Sequence, residues 1–321
     1  VSETLEPADA ADAANAADLA GTAGRLIAIG GLADRTRERD LLRAFFEAAG
    51  GPDANIVVLA LATEPAELRD PAAAAERFGD VFYDLGAESV EVLRLGAALG
   101  SSRLDLLEYA TGLFLAGSGP SWLPLPEESL LSEAVRRRHA AGMVVGGNGA
   151  GAAVLPELCI APGPGSAMSA MSGTSAASAA SGGGAGSGRR RPPGLVPGLG
   201  LARGLLLDPP LRQRDRLGRL LAAVAADPSP LAVGIDEDTA VVIEAGRSLE
   251  VLGTGAVMVV DATQAVRPGL AAGDLPAMLG VRVDVLTAGC TYDLRERRAR
   301  PGSAHGANDW TVPASDKPQG E

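Results

Sequence analysis

Met143–Val154 reads MVVGGNGAGAAV. An apolar run enters a glycine-rich turn and leaves it as an Ala-rich helix. A strand–turn–helix unit of this kind has two chemical uses. It can cradle a phosphate on the backbone N–H groups of the helix N-terminus. It can also hold a nucleophile on a strained elbow. The phosphate pattern of P-loops ends in Gly-Lys-Ser/Thr, and no lysine stands here. A dinucleotide fingerprint fits only loosely, and no strand-borne acid follows about 20 residues on.

Upstream of this unit, strands and helices alternate. Leu26–Ile29 is a short apolar run closed by Gly30-Gly31 and reads as a buried strand. Asp40–Ala49 carries Leu41, Leu42, Phe45 and Phe46 on one helical face, and Gly50-Gly51 stops it. Strands are expected at Asn55–Ala62, Ser89–Leu95, Gly112–Ala116 and Met143–Val145. Helices are expected at Ala66–Phe82, Ser102–Tyr109 and Glu127–Ala141. This order predicts an α/β fold, a mostly parallel sheet wound with helices on both faces. Downstream, Leu205–Leu207 reads as a strand and Asp215–Ala226 as a helix. Ala240–Glu244, Leu249–Leu252 and Ala256–Val260 read as hairpin-like strands, and Val281–Leu286 as a last strand. Residues 24–300 form the expected domain. Residues 1–23 are an acidic, Ala-rich tail, and 301–321 a polar one. Residues 162–193 are almost entirely Gly, Ser, Ala, Met and Pro before Arg189-Arg190-Arg191. Such a composition buries too little apolar area to offset its chain entropy, so a disordered insertion is expected.

Composition narrows the function classes. Hydrophobic residues are 46% of 321 and charged residues 21%, enough for a sizeable core. The net charge of −12 argues against a nucleic-acid partner, which needs a basic face. Cys159 and Cys290 fit neither a metal spacing nor a disulfide framework, so a reduced, cytoplasmic protein is expected. Acids at Glu3, Glu6 and Asp9 do not suit a signal peptide, and no apolar window is long enough to span a membrane. Only two histidines are present, His139 in a helical run and His305 in the polar tail.

Three further stretches complete the pattern: Phe114–Pro120 (FLAGSGP), Asp208–Leu220 (DPPLRQRDRLGRL) and Gly234–Ala240 (GIDEDTA). Together with Met143–Val154 and the order of the elements, they make the chain resemble cyanophycinase-like serine peptidases, peptidase family S51. The resemblance covers about Gly24 to Arg300. It implies a three-layer, doubly wound sheet of class I glutamine amidotransferase-like type. It also implies serine-type hydrolysis of multi-L-arginyl-poly-L-aspartate to β-Asp-Arg dipeptides, without a cofactor or metal. Where family members carry Ala-Gly-Thr-Ser-Ala-Gly-Ala-Ala, this chain has Gly146-Gly147-Asn148-Gly149-Ala150-Gly151-Ala152-Ala153. Gly149 thus takes the nucleophile position. In the second stretch Asp208, Arg214, Arg216, Gly218, Arg219 and Leu220 match, but Pro210 takes the position of the catalytic histidine. Gly117-Ser118-Gly119-Pro120 replaces a motif that carries a substrate-binding Gln. The acids of GIDEDTA read as turn formers that accept backbone hydrogen bonds.

Serine hydrolysis needs an oxygen nucleophile and a base to take its proton. Glycine offers no attacking atom and proline no proton acceptor. An elbow holds a non-Gly residue at strained angles at a cost of about 1–3 kcal/mol. Glycine accepts such angles freely, so Gly149 suits a scaffold relieved of catalysis. Alternatives are a nucleophile moved to Ser118, at a strand end, or to Ser175 in the insertion. The candidate cleft comprises Gly117, Ser118, Gly119, Asn148, Gly149, Ala150, Asp208, Arg214 and Arg216. Its expected occupant is an Arg/Asp-rich peptide or cyanophycin fragment, in a homodimer or in a heteromer with an active paralogue.

Overall fold

A computed structural model describes residues 23–61, 71–94, 101–117, 129–161, 194–244, 246–266 and 277–302. The chain opens with β1 (Leu26–Ile29), α1 (Arg35–Ala48), β2 (Asn55–Ala60), α2 (Pro71–Leu85) and β3 (Ser89–Arg94). It continues through α3 (Ser101–Tyr109), β4 (Gly112–Ala116), α4 (Leu130–Ala140), β5 (Val144–Asn148) and the single turn α5 (Ala150–Ala153). These five strands pair in parallel in the order β1-β5-β4-β2-β3. From β1 to β3 the chain runs outward along the sheet, and from β3 to β5 it runs back. Right-handed crossovers then put the two pairs of helices on opposite faces.

The packing agrees. On one face, Leu41, Leu42, Phe45 and Phe46 of α1 and Phe78 and Phe82 of α2 pack on Ile27, Ile29, Ile56, Val58 and Phe114. Four of the five phenylalanines meet there, with ring centroids 5.2–5.4 Å apart. Aromatic pairs at this spacing add to area burial. On the other face, Leu107, Leu131, Val135 and Ala152 cover Leu26, Ala28, Val57, Leu59, Leu113, Leu115 and Val145. Ser129 caps α4 by accepting from Ser132 N–H at 3.1 Å, and Arg137, Arg138 and His139 fill its last turn.

The second half departs from the expected parallel sheet. Here β6 (Leu158–Ile160) and β7 (Leu195–Pro197) form an antiparallel pair. Then come β8 (Leu205–Asp208), α6 (Leu217–Ala226), β9 (Leu231–Ile235), β10 (Thr239–Glu244), β11 (Ser248–Gly253) and β12 (Val257–Asp261). The last strands are β13 (Arg282–Leu286), β14 (Thr291–Asp293) and β15 (Arg298–Arg300). Strands β10, β11, β14 and β15 extend the first sheet antiparallel beyond β1, giving nine strands. The order β13-β12-β9-β8 makes a second sheet in which only β8 and β9 are parallel. The whole is therefore a mixed α/β architecture rather than a mostly parallel one. Short hairpin connections allow antiparallel neighbours, whereas each parallel pair needs a crossover.

Smaller differences have local causes. The strand expected at 143–145 runs on through Gly146 and Gly147 to Asn148. A Cβ on Gly146 would stand 2.7 Å from the Phe45 ring, so glycine here makes room rather than a turn. The strand at 256–260 does not continue the β10–β11 hairpin but pairs with β9. The tails 1–22 and 303–321, the insertion 162–193 and the start of the helix expected from Ala66 lie outside the described residues. Among the described residues, no helix is long and apolar enough to cross a membrane.

Candidate active site

Gly149 follows β5 directly and caps α5, with φ 52° and ψ −114°. Its N–H donates to Ile29 O at 2.9 Å, and its carbonyl accepts from Ala153 N–H at 3.1 Å. The chain thus turns sharply from strand into helix at one residue, in a conformation that side chains rarely adopt. The turn is tight because its neighbours lack Cβ atoms. A Cβ on Gly147 would stand 2.6 Å from Gly151 C, one on Gly151 2.0 Å from Leu115 O, and one on Gly117 2.4 Å from Gly151 N. Gly149 differs from these three. Among the described residues, a Cβ there would meet only Gly117 O, at 3.3 Å. Asn148 Oδ1 accepts from Gly117 N–H at 3.3 Å, joining the end of β5 to the end of β4. Gly117, Asn148, Gly149 and Ala150 are therefore together. Ser118 and Gly119 lie outside the described residues.

A second group gathers at the end of β8. Asp208 is buried, and Arg216 Nη1 donates to its Oδ1 at 3.3 Å and to Pro209 O at 2.7 Å. Arg219 Nε lies 3.7 Å from Asp208 Oδ2, and its Nη2 donates to Ile160 O at 2.7 Å. Burial pushes the Asp208 carboxyl above the usual carboxylate range, although Arg219 and Arg216 oppose the shift. Both guanidiniums thus fasten α6 to β8. Pro210 follows in the cis Pro209–Pro210 peptide. Arg214 lies in the 3-10 turn Arg212–Arg214, and its side chain is outside the described residues.

The GIDEDTA acids work on the backbone. Buried Asp236 accepts from Arg212 N–H at 3.2 Å, from Arg212 Nε, and from Ala256 N–H at 2.9 Å. Asp238 Oδ1 accepts from Ala33 and Asp34 N–H at 2.9 and 3.1 Å. The loops after β1, β8 and β11 are thereby tied to the β9–β10 junction. Sequence reading missed Arg212, which stands 24 positions from Asp236. With Leu211, Asp215, Arg216, Leu217 and Met258 it lines a shallow pocket of about 170 Å³.

The bases and thiols lie elsewhere. His139, the one histidine among the described residues, sits at the opposite end of β5, its Nδ1–H donating to Met143 O at 3.0 Å. Burial lowers its pKa, which favours the neutral ring. Cys159 is buried and its thiol is pushed up to about 12, leaving no thiolate at neutral pH. Among the described residues, no three His, Cys, Asp or Glu side chains are grouped to hold a metal ion.

No family model matches the chain. It is 33% identical to the cyanophycinase of Synechococcus elongatus over 285 residues, 86% of this chain and 81% of that protein. It is 33% identical to the cyanophycinase of Nostoc sp. over 86% of this chain and 87% of that protein. The cyanophycinase of Geminocystis herdmanii is 30% identical, with 96% of its length covered. A crystal structure of a peptidase from an acI-B1 Actinobacterium superposes with a TM-score of 0.56 at 18% identity. It covers 84% of this chain and 97% of its own, and shares the fold. A glycine-framed elbow between β5 and α5 and these similarities over most of the chain lead to one conclusion: the chain belongs to the cyanophycinase family.

Proposed function

We propose that this chain is a cyanophycinase-family protein that does not hydrolyse cyanophycin. The single observation that carries the reading is Gly149. The backbone keeps the elbow conformation, yet the residue there has no hydroxyl to present. Pro210 supplies no proton acceptor where the resemblance places an imidazole, and His139 is committed to Met143 far from the elbow. Loss of two members of a unit is not rescued by the rest, since residual acceleration comes from binding and the oxyanion hole alone.

The role left to such a scaffold is binding, in the cytoplasm. It would hold an Arg/Asp-rich peptide or pair with an active paralogue. The fold is read as the three-layer, class I glutamine amidotransferase-like type, supported by helices on both faces of the parallel strands. Arg216 and Arg219 are engaged by Asp208, so they hold the cleft's shape rather than grip peptide carboxylates.

Purified protein incubated with cyanophycin should release no β-Asp-Arg dipeptide, and a fluorophosphonate probe should not label it. Turnover at ordinary serine-peptidase rates would overturn the reading. If that turnover were lost in Ser118→Ala, a relocated nucleophile would replace it. Calorimetry with β-Asp-Arg, against arginine alone, tests the peptide-binding version.

A further inference from the structure

The shallow pocket of about 170 Å³ between β8 and α6 shares only Arg216 with the candidate cleft. A cavity of about 150 Å³ already holds a benzene molecule, so the space suits the side chain of one small ligand. Its floor is apolar. Met258 of β12 pairs with Gly234 of β9, and a Cβ on Gly234 would stand 2.5 Å from Leu211 Cδ2. The bare glycine thus leaves room for buried Leu211 beside Met258. Leu217, at the start of α6, adds an apolar wall and is 37% exposed.

The charges at the pocket are of both signs and are held apart. Asp236 accepts from the backbone N–H and the Nε of Arg212, which fixes the guanidinium by one edge. The Arg212 side chain is still 56% exposed, and its Nη groups donate to no described residue. Asp215 N–H donates to Arg212 O at 3.0 Å and closes the 3-10 turn. Side chains three apart eclipse in a 3-10 helix, but Asp215 adopts φ 48° and ψ 49°. That left-handed conformation, which aspartate tolerates, takes its carboxylate out of line with Arg212. Asp215 is exposed and has no ion-pair partner among the described residues. Arg216, by contrast, is committed to Asp208 and Pro209 O.

This arrangement selects its ligand. A simple anion would be attracted by Arg212 and repelled by Asp215, and a simple cation the reverse. A zwitterion satisfies both. We infer that the pocket binds a free α-amino acid with an apolar side chain of the size of leucine or methionine. Its carboxylate accepts charge-assisted hydrogen bonds from the Nη groups of Arg212. Its ammonium group donates to Asp215, and its side chain covers Leu211, Leu217 and Met258. Neither polar contact involves the elbow, so the site goes beyond the peptide-binding role and does not depend on what Gly149 lacks.

Calorimetry of the full chain with L-leucine tests the inference. L-Leucinol and N-acetyl-L-leucine are the companion ligands, the first without the carboxylate and the second without the ammonium group. L-Leucine should bind at millimolar concentration or below. Each companion should bind at least about tenfold more weakly, because each loses hydrogen bonding to a charged group. L-Alanine should also bind more weakly, for want of apolar contact. Asp215→Asn alters an exposed side chain, and circular dichroism checks that the variant folds. It should bind L-leucine at least about tenfold more weakly than the parent chain. It should bind N-acetyl-L-leucine no worse than the parent does, a change of preference that a merely structural role for Asp215 would not produce. Absence of binding by both L-leucine and L-methionine would overturn the inference. So would L-leucinol binding as tightly as L-leucine, or an Asp215→Asn variant that binds L-leucine as the parent does.

Discussion

The carbonyl oxygen of Gly117 lies 3.3 Å from where a Cβ on Gly149 would stand, and no other atom of the described residues lies within 4 Å. A serine therefore fits at the elbow, strained in its backbone but not crushed. Gly149→Ser should cost about 1–3 kcal/mol, the ordinary cost of holding a side chain at such angles. Thermal unfolding should show a fall of several degrees in Tm. The variant should still fail to react with a fluorophosphonate, since among the described residues no imidazole is placed to take the proton. Rapid labelling would show that a base had been overlooked.

Gly151→Ala and Gly218→Ala should move stability in opposite directions. A Cβ on Gly151 would collide with Leu115 O at 2.0 Å, so β4 and α5 would have to separate. A loss of at least about 3 kcal/mol is expected, in the range of severe overpacking. Gly218 lies in the first turn of α6, with nothing among the described residues within 4 Å of its would-be Cβ. Alanine there should gain about 0.5–1 kcal/mol through helix propensity. Urea denaturation of both variants measures the contrast.

Arg216→Met should destabilise more than Asp208→Asn. The first leaves a buried carboxylate with one distant partner, and breaking such a pair costs about 3 kcal/mol. The second removes the charge whose burial is unfavourable, and leaves two guanidiniums with partial access to solvent and other acceptors. Equal losses in the two variants would show that Asp208 is not the centre of this cluster.

Acidification should weaken the fold through His139. Burial holds its folded pKa below 6.5, so the unfolded chain binds the proton first as pH falls. The contribution of neutral His139 is complete above pH 6.5 and is lost on descending from there through the folded value. His139→Asn can keep a donor to Met143 O and has nothing to protonate. The drop in Tm between about pH 7.5 and 5.5 should be smaller in that variant than in the parent chain.

The parallel half of the fold was legible because its strands are continuous apolar runs set between amphipathic helices. Gly112–Ala116 coincides with β4, and Leu26–Ile29 with β1. Gly146 and Gly147 misled, since glycine usually signals a turn. Gly146 answers the Phe45 ring, about 100 residues away in the chain, and Gly147 the backbone of Gly151 in the turn that follows. The antiparallel half was harder to read. Nothing local in Val257–Asp261 reveals that it leaves the β10–β11 hairpin for β9. At the candidate site the glycine frame pointed to the elbow, because each glycine answers a close approach. The hold of Asp236 on Arg212 gave no such signal, as an acid in a loop has many possible partners.

The β6–β7 clasp has a practical corollary. Ala161 N–H donates to Gly194 O at 2.8 Å, so the chain departs and re-enters at a single point. The covalent path between Ala161 and Gly194 can therefore be shortened without redrawing either sheet. Closing a loop of about thirty residues rather than two costs roughly four doublings, near 0.6 kcal/mol each. Splicing 161 to 194 through a two-residue hairpin turn should therefore raise stability by about 2 kcal/mol. The same junction offers a graft point, where a foreign module could be carried at the rim of the fold.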